Sequence, residues 1–484
     1  MILGNGELDL RMPVSSLTRL WLAVLASTVF TFINSTTPVT AQVFDRRPYL
    51  FPGQSTSDDV RRIPVSPGHN EPAGSFVLVG GRVFDGTGRP AYPATIVVTG
   101  KKIIAILRPE QKEWPTDAKI YDVAGRTVMP GLIDLHTHIT YVDKFDSSFG
   151  EVMLSGSEAT MRAAWRMGIY LQCGITSIRD VASHGDVPFV LKRWQGEGRI
   201  PGPRVFAAGQ LITALGGHGA EGMTQVTAPK NPNGQVYEAF GPDGFREAVR
   251  IQFRAGADLI KVASHYSQAE IDAATEEAHA LGLPITVDAE TQYIDMALQA
   301  GVDAIEHPLP RTDAAIARMV KQGVASVPTL VPYRYIERLS GGYFGSTSRR
   351  FGLNENSILE MLRKMRKASV KLGVGTDLIV DWIAYMPNAY IDELKSMMLV
   401  GYSPAEALVA ATRTNSEILK MSDRLGTLEV GKLADIIVVD GLPDQNLDAL
   451  TRVEKAFVNG RLMLNDGSLT QQRHQPRPAP AAKR

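Results

Sequence analysis

Met129-Pro130-Gly131-Leu132-Ile133-Asp134-Leu135-His136-Thr137-His138 decides how this chain folds. A mostly apolar run follows a Pro-Gly breaker, the pattern of a short buried strand. Its end carries two histidines two positions apart. Along a strand, residues i and i+2 point the same way, so both imidazoles share one side. Two imidazoles on one side can hold a divalent ion. His-x-His alone is a weak signal, and its place at the end of this run gives it weight.

The same texture recurs downstream. Apolar strands are expected at 175–179, 204–209, 257–263, 284–288, 303–307, 324–328 and 373–377, with helical patterns between most of them, such as 267–280 and 312–322. With the strand ending at His136, these make eight strand–helix units. Alternating strand and helix implies an α/β fold with a parallel sheet, and eight units close most economically into a (β/α)8 TIM barrel. An open doubly wound sheet is the alternative. It would usually carry a Gly-rich phosphate turn after its first strand, and no such turn follows here.

On either side of this region the chain is β-rich, at 76–106 and again at 433–463, with Gly and Asp at turn positions. One small β-sandwich built from both chain ends explains this. The expected organisation is a sandwich at 76–128 and 426–468 around a barrel at 129–425. Residues 42–75 read as a Pro/Arg/Ser/Gly-rich linker arm and 469–484 as a disordered Pro/Ala/basic tail. Residues 1–41 read as a secretory signal: Arg19, a largely apolar stretch at 20–33, then Val39-Thr40-Ala41 as the cleavage site. Met12 would give a signal of more usual length, and an uncleaved N-terminal anchor is the alternative. The apolar stretch is short for a membrane span. The mature protein is therefore expected to be exported, periplasmic or secreted, with no stable membrane span after cleavage.

Lys plus Arg equals Asp plus Glu, 51 each, which argues against nucleic acid or an anionic membrane surface as partner. A small-molecule substrate is the expected partner, and a homo-oligomer is compatible with this composition. The single cysteine, Cys173, excludes an intrachain disulfide and a Cys-rich metal site. In its apolar setting it reads as a packing residue rather than a nucleophile.

Functional side chains of such barrels collect at the C-terminal ends of the strands. The fourth strand ends in Asp258-Leu259-Ile260-Lys261-Val262-Ala263, and a lysine in an apolar strand is costly unless paired or modified. A snorkelling lysine is the plainer explanation. The sixth ends in Glu306-His307-Pro308, where a structural histidine is the plainer explanation. The eighth ends in Gly375-Thr376-Asp377, a carboxylate that could equally cap a helix. Together, His136, His138, Lys261, His307 and Asp377 point to a metal site. His265, Tyr266, Tyr333 and Tyr335 could line the pocket, although helix packing at the surface explains them more simply. His69, His184, His279 and His474 have no case for ligation.

These motifs resemble the amidohydrolase superfamily, in its imidazolonepropionase-like and Xaa-Pro-dipeptidase-like branch. The resemblance runs from about Phe76 to Met463. It includes Gly-Ile-Thr-Ser-Ile-Arg-Asp at 174–180, Gly-Pro-Arg-Val at 202–205, Gly-Gly-His-Gly at 216–219, Val-Pro-Thr-Leu at 327–330 and Gly-Thr-Leu-Glu-Val-Gly-Lys-Leu-Ala-Asp at 426–435. It implies one or two divalent ions, usually zinc. His136 and His138 would hold the first ion. Lys261, carboxylated by CO2, would bridge both, and His307 would hold the second. Asp377 would ligate the first ion and act as general base, while His218 would bind substrate or stabilise the oxyanion. The implied reaction is hydrolysis of an amide, cyclic amide, peptide or ester-like bond in a small molecule.

One position departs from the pattern. The family places a histidine at the end of the fifth strand, in Val-Ala-x-His-Ala. Here Val287-Asp288-Ala289 puts a carboxylate there. A carboxylate can ligate zinc, so Asp288 could complete an altered second site. Alternatively the second site is empty and an unmodified Lys261 pairs with Asp288. A lactonase, a lyase or decarboxylase, and a binding protein that lost turnover are the remaining readings.

Overall fold

The computed structural model describes residues 74–141, 155–220, 234–340, 353–378 and 380–470, together with residues 45, 46, 48 and 72. All belong to the larger of two compact units, Asp45–Arg484. The expected signal at 1–41, His69, His474 and nearly all of the expected linker and tail lie outside the described residues. No helix among the described residues is long and apolar enough to cross a membrane.

Seven parallel strands form the centre: Leu132–Thr137, Ile175–Asp180, Arg204–Ala207, Ile260–Ala263, Ile285–Asp288, Ala304–Glu306 and Ala325–Val327. They are numbered first to seventh below. Nearly all their residues are buried, which is why they read as apolar runs rather than as alternation. Helices follow where the sequence placed them. Ser267 caps Gln268–Ala280 with a reciprocal bond to Glu270, and Thr312 caps Asp313–Gln322.

The expected eighth strand is not a regular strand. Residues 371–377 make a single bridge, Leu372 to Ser326, yet they hydrogen-bond to both neighbours. Gly373 N donates to Ser326 O at 2.8 Å on one side, and Leu135 N donates to Val374 O at 3.0 Å on the other. Asp377 N then donates to His136 O at 2.8 Å. The Asn415 side chain takes up the backbone of Val374, accepting from its N and donating to its O, both at 2.9 Å. That competition is the physical reason the ladder is irregular. The expected strand 204–209 also differs. It stops at Ala207, the chain bends at Gly209 (φ 81°), and a further strand, Leu211–Ala214, pairs with Val236–Ala239 and with the fourth strand.

Two more sheets flank this centre. One has four strands in the order Lys102–Leu107, Thr95–Thr99, Ser75–Val79, Lys119–Asp122. The other has seven, in which Ile436–Asp440 pairs antiparallel with Arg126–Pro130 and so joins the two chain ends. Phe76, Ile96 and Ile103 of the first sheet share an apolar cluster with Val128, Ile436 and Phe457 of the second. Phe76 stacks on Phe457 at 4.5 Å between centroids. The strand Arg126–Pro130 crosses the expected boundary at 128, and Ser468–Leu469 carries the second sheet one residue into the expected tail.

Gly375 shows how tightly 371–377 is held. A Cβ there would lie 2.8 Å from His136 N, His136 Cβ and Val327 Cγ1. Gly375→Ala is expected to destabilise the fold by about 1–3 kcal/mol, the usual cost of overpacking. Thermal denaturation checks this, and an unchanged Tm would show that the two strands can part.

Candidate metal centre

The end of the first strand brings His136 and His138 to one side, as the i, i+2 spacing requires. Both are buried. His136 Nδ1 lies 2.8 Å from Glu306 Oε2, and His138 Nδ1 lies 3.1 Å from Ala182 O. An ionised carboxylate and a backbone carbonyl only accept. Each ring therefore carries a proton on Nδ1, and each Nε2 is turned to the centre. Burial pushes the His136 imidazolium down to about 3, against the pull of Asp377, so that ring is neutral.

Both Nε2 atoms face one atom. Asp377 Oδ1 stands 3.6 Å from His136 Nε2 and 3.1 Å from His138 Nε2. Burial opposes ionisation of Asp377, but the surrounding imidazoles bring its carboxyl down to about 2. Two imidazole nitrogens and a carboxylate oxygen thus converge on one point, a gathering of donor atoms of the kind that holds a cation. Imidazole nitrogens held by second partners, plus a carboxylate, form a zinc-type donor set. His307 joins the group: its ligand atom, one from His136 and one from Asp377 lie within 4.8 Å of one another.

Glu306 keeps its charge in a fully buried position. Burial raises its pKa, but Arg179 and Lys261 outweigh that and hold it well below the usual carboxylate range. Arg179 Nη2 donates to Oε1 at 2.6 Å, and the Thr286 hydroxyl donates to the same oxygen. Asp134 pins the first strand to 371–377, accepting from Thr376 Oγ1 at 2.6 Å and from Thr376 N at 3.0 Å. Burial lifts its carboxyl to about 7. The sequence reading missed Arg179, Glu306 and Asp134. The signal that singled out Lys261, a charged residue inside an apolar strand, was present for all three.

Lys261 Nζ is buried and makes no hydrogen bond. It neither snorkels nor forms the expected pair with Asp288, whose Oδ2 is taken by His218 Nε2 at 3.1 Å and His307 Nε2 at 3.2 Å. Burial lowers the Lys261 pKa, against the pull of Glu306 and Asp288. His218, expected to bind substrate or stabilise the oxyanion, directs its Nε2 at Asp288.

Strand-end residues around the mouth hold left-handed backbone: His265 (φ 84°), Thr291 (48°), His307 (61°), Thr329 (47°) and Asp377 (47°). Such strain in non-glycine residues persists where surrounding structure enforces it, and it clusters at functional sites. Tyr333 is not surface packing as expected, since its ring lies 6.2 Å from His307 and it packs on the main core. Tyr141 stacks on His138 at 4.0 Å. Tyr335 bonds Asp392, and Tyr266 bonds Tyr293 O. His265 pairs with Glu290, His184 meets Thr140, and His279 pairs with Asp303. Cys173 is buried, and burial pushes its thiol up to about 12, as a packing residue requires. A cavity of about 600 Å³ opens at the opposite ends of the strands, by Pro284, Asp303 and Lys371. Arg179 and Thr286 also line it, whereas His136, His138, His307 and Asp377 do not.

Residues 127–463 match the amidohydrolase family. The chain belongs to the amidohydrolase family. Ochratoxinase of Aspergillus niger is 24% identical over 459 residues, covering 87% of this chain and 93% of its own. Imidazolonepropionase of Symbiobacterium thermophilum is 24% identical over 387 residues, 73% of this chain and 85% of its own. A solved Xaa-Pro dipeptidase with methionine in its active site is 26% identical, with a TM-score of 0.72 over 80% of this chain and 99% of its own. This amidohydrolase is therefore an α/β protein with a TIM-barrel-like domain. It is a hydrolase of carbon–nitrogen bonds from a metal-dependent family.

Behind His307, Thr329 Oγ1 bonds Nδ1 at 2.9 Å, and Thr329 leads into the helix Leu330–Ser340 that carries Tyr333. Glu393 clamps that helix start, accepting from Leu330 N at 3.0 Å and Val331 N at 2.8 Å. Burial raises its carboxyl from 4.5 to about 8, against those two bonds. Between these values the folded chain keeps a proton that the unfolded chain releases. Stability contributed by this group therefore falls as pH rises through that window, by up to about 1.4 kcal/mol per unit. Melting curves of wild type and Glu393→Gln from pH 5 to 8 are expected to show the wild-type advantage shrinking with pH. A constant offset would contradict the raised pKa.

Proposed function

We propose that this amidohydrolase cleaves an amide or peptide bond of a small molecule with zinc, at the mouth of a closed eight-stranded barrel flanked by a β-sandwich. Barrel closure is supported by the hydrogen bonds of 371–377 to both neighbours, and the sandwich by the apolar cluster shared between the flanking sheets. The carrying observation is the convergence of the His136 and His138 Nε2 atoms on Asp377 Oδ1. In this reading those three residues hold the first ion. Lys261, as a carbamate, would help hold a second ion together with His307 and Asp288.

Bound there, divalent ions supply an acidified water and Lewis-acid polarisation of a carbonyl. The chain supplies the rest. Glu306 and the Ala182 carbonyl fix the ring tautomers, so both Nε2 atoms are ready as donors. The ionised Asp377 accepts the proton released as water adds to the substrate carbonyl and passes it to the leaving nitrogen. The dipeptidase likeness makes dipeptides the first substrates to test, with other N-acyl amino acids next.

Chelator treatment is expected to abolish hydrolysis, and zinc to restore it. Asp377→Asn is expected to lower kcat by about 10²–10⁴-fold, the range for a general acid–base group, with little change in Tm. Undiminished turnover in that variant would remove Asp377 from the mechanism. Hydrolysis of lactones but not amides would move the chain to the lactonase reading. Ligand binding without any hydrolysis would make it a binding protein.

A further inference from the structure

We infer that His218, from the loop before the fourth strand, is a ligand of the second ion and takes over the donor role lost where Asp288 replaces a histidine. This rests on the metal-dependent reading above and extends it to a residue expected to touch substrate.

The geometry comes first. His218 Nε2 and His307 Nε2 approach the same oxygen, Asp288 Oδ2, at 3.1 and 3.2 Å. Ligands at about 2.0–2.2 Å from one ion stand about 3.0–3.4 Å apart when they are neighbours on it. Both separations suit neighbouring ligands, with the carboxylate oxygen between two imidazoles. His307 has a partner behind it that can fix its tautomer: Thr329 Oγ1 at Nδ1 accepts a proton as readily as it donates one.

The His218 loop is built to hold that position. Gly217 has no room for a side chain, since a Cβ would lie 2.4 Å from Thr213 Oγ1 and 2.9 Å from Ala214 O. His218 N donates to Ser264 O at 3.2 Å. Ser264 Oγ in turn donates to Asp288 O at 2.9 Å. One residue thus ties the loop bearing His218 to the strand end bearing Asp288, and sets the two side chains against each other. The His218 ring is aimed at Asp288.

The chemistry agrees. Exchanging an imidazole for a carboxylate at position 288 adds a negative charge, which by itself makes an ion at that place less electrophilic. A neutral imidazole from His218 adds a donor without adding charge. The resulting set of two imidazoles and one carboxylate, beside Lys261, is sufficient to hold a divalent ion.

The test is metal content and affinity, read independently of turnover. Wild type, His218→Ala, Asp288→His and the double variant are stripped with chelator, reloaded with zinc in bicarbonate buffer and desalted. Zinc per chain is measured by mass spectrometry, and the weaker site is titrated against a competing chelator. Circular dichroism confirms folding of each protein. Wild type is expected to hold two ions. His218→Ala is expected to hold near one, with the second bound at least about 100-fold more weakly. In the double variant the new histidine at 288 is expected to restore the second ion, because His218 is then no longer needed. A second ion held equally well by His218→Ala would overturn the assignment. So would a double variant that stays at one, because the loss would then not be that of a ligand. One ion in wild type would overturn the second site and leave the first standing. None in wild type would sink the metal-dependent reading itself.

Discussion

The site depends on one buried carboxylate. Glu306, at the end of the sixth strand, has no exposed surface, and an unpaired charge there would be very costly. Arg179, Thr286 and His136 answer it together, from the second, fifth and first strands. Its partners therefore tie three strands into one register. The same contact decides which nitrogen of His136 carries the proton, and so which face of the ring can hold an ion. Removing Glu306 would strand the Arg179 guanidinium and free the His136 ring at once, so stability and ligation share one group.

Above this layer, the backbone is fitted closely enough that side chains have few alternatives. Residues 371–377 pass so near the first and seventh strands that Gly375 has no room for a Cβ. Asp134 and Asn415 hold that segment by its backbone. Asp377 and His307 both keep left-handed backbone at the point where their side chains turn toward the centre. Strain of this kind needs a rigid frame beneath it, and the buried network of Glu306, Arg179 and Asp134 supplies one.

Much of this was legible in the sequence. Buried parallel strands are apolar throughout, so ligand-type residues within or just after each run stood out, and His136, His138, Lys261, His307 and Asp377 were singled out in that way. The helical patterns at 267–280 and 312–322 began at the residues that cap those helices, Ser267 and Thr312. What escaped depended on partners far apart in the chain. The carbonyl that fixes the His138 tautomer belongs to Ala182, and nothing local identifies it. The strand Leu211–Ala214 was hidden because Gly209 bends the chain within what reads as a single run. The eighth strand was expected to be regular, and the side chain of Asn415, remote in sequence, takes its bonds. The departure at Asp288 was visible, but its meaning was not, since His218 approaches it only through the folded loop. Arg179 and Glu306 could have been found by the reasoning applied to Lys261.

The central claim is that His136, His138 and Asp377 surround a cation. Anomalous diffraction at the zinc absorption edge, from crystals of zinc-loaded protein, tests it most directly. The account predicts a strong peak among His136 Nε2, His138 Nε2 and Asp377 Oδ1, with the His136–Glu306 contact intact. A zinc-loaded crystal with no peak among those three atoms would contradict it.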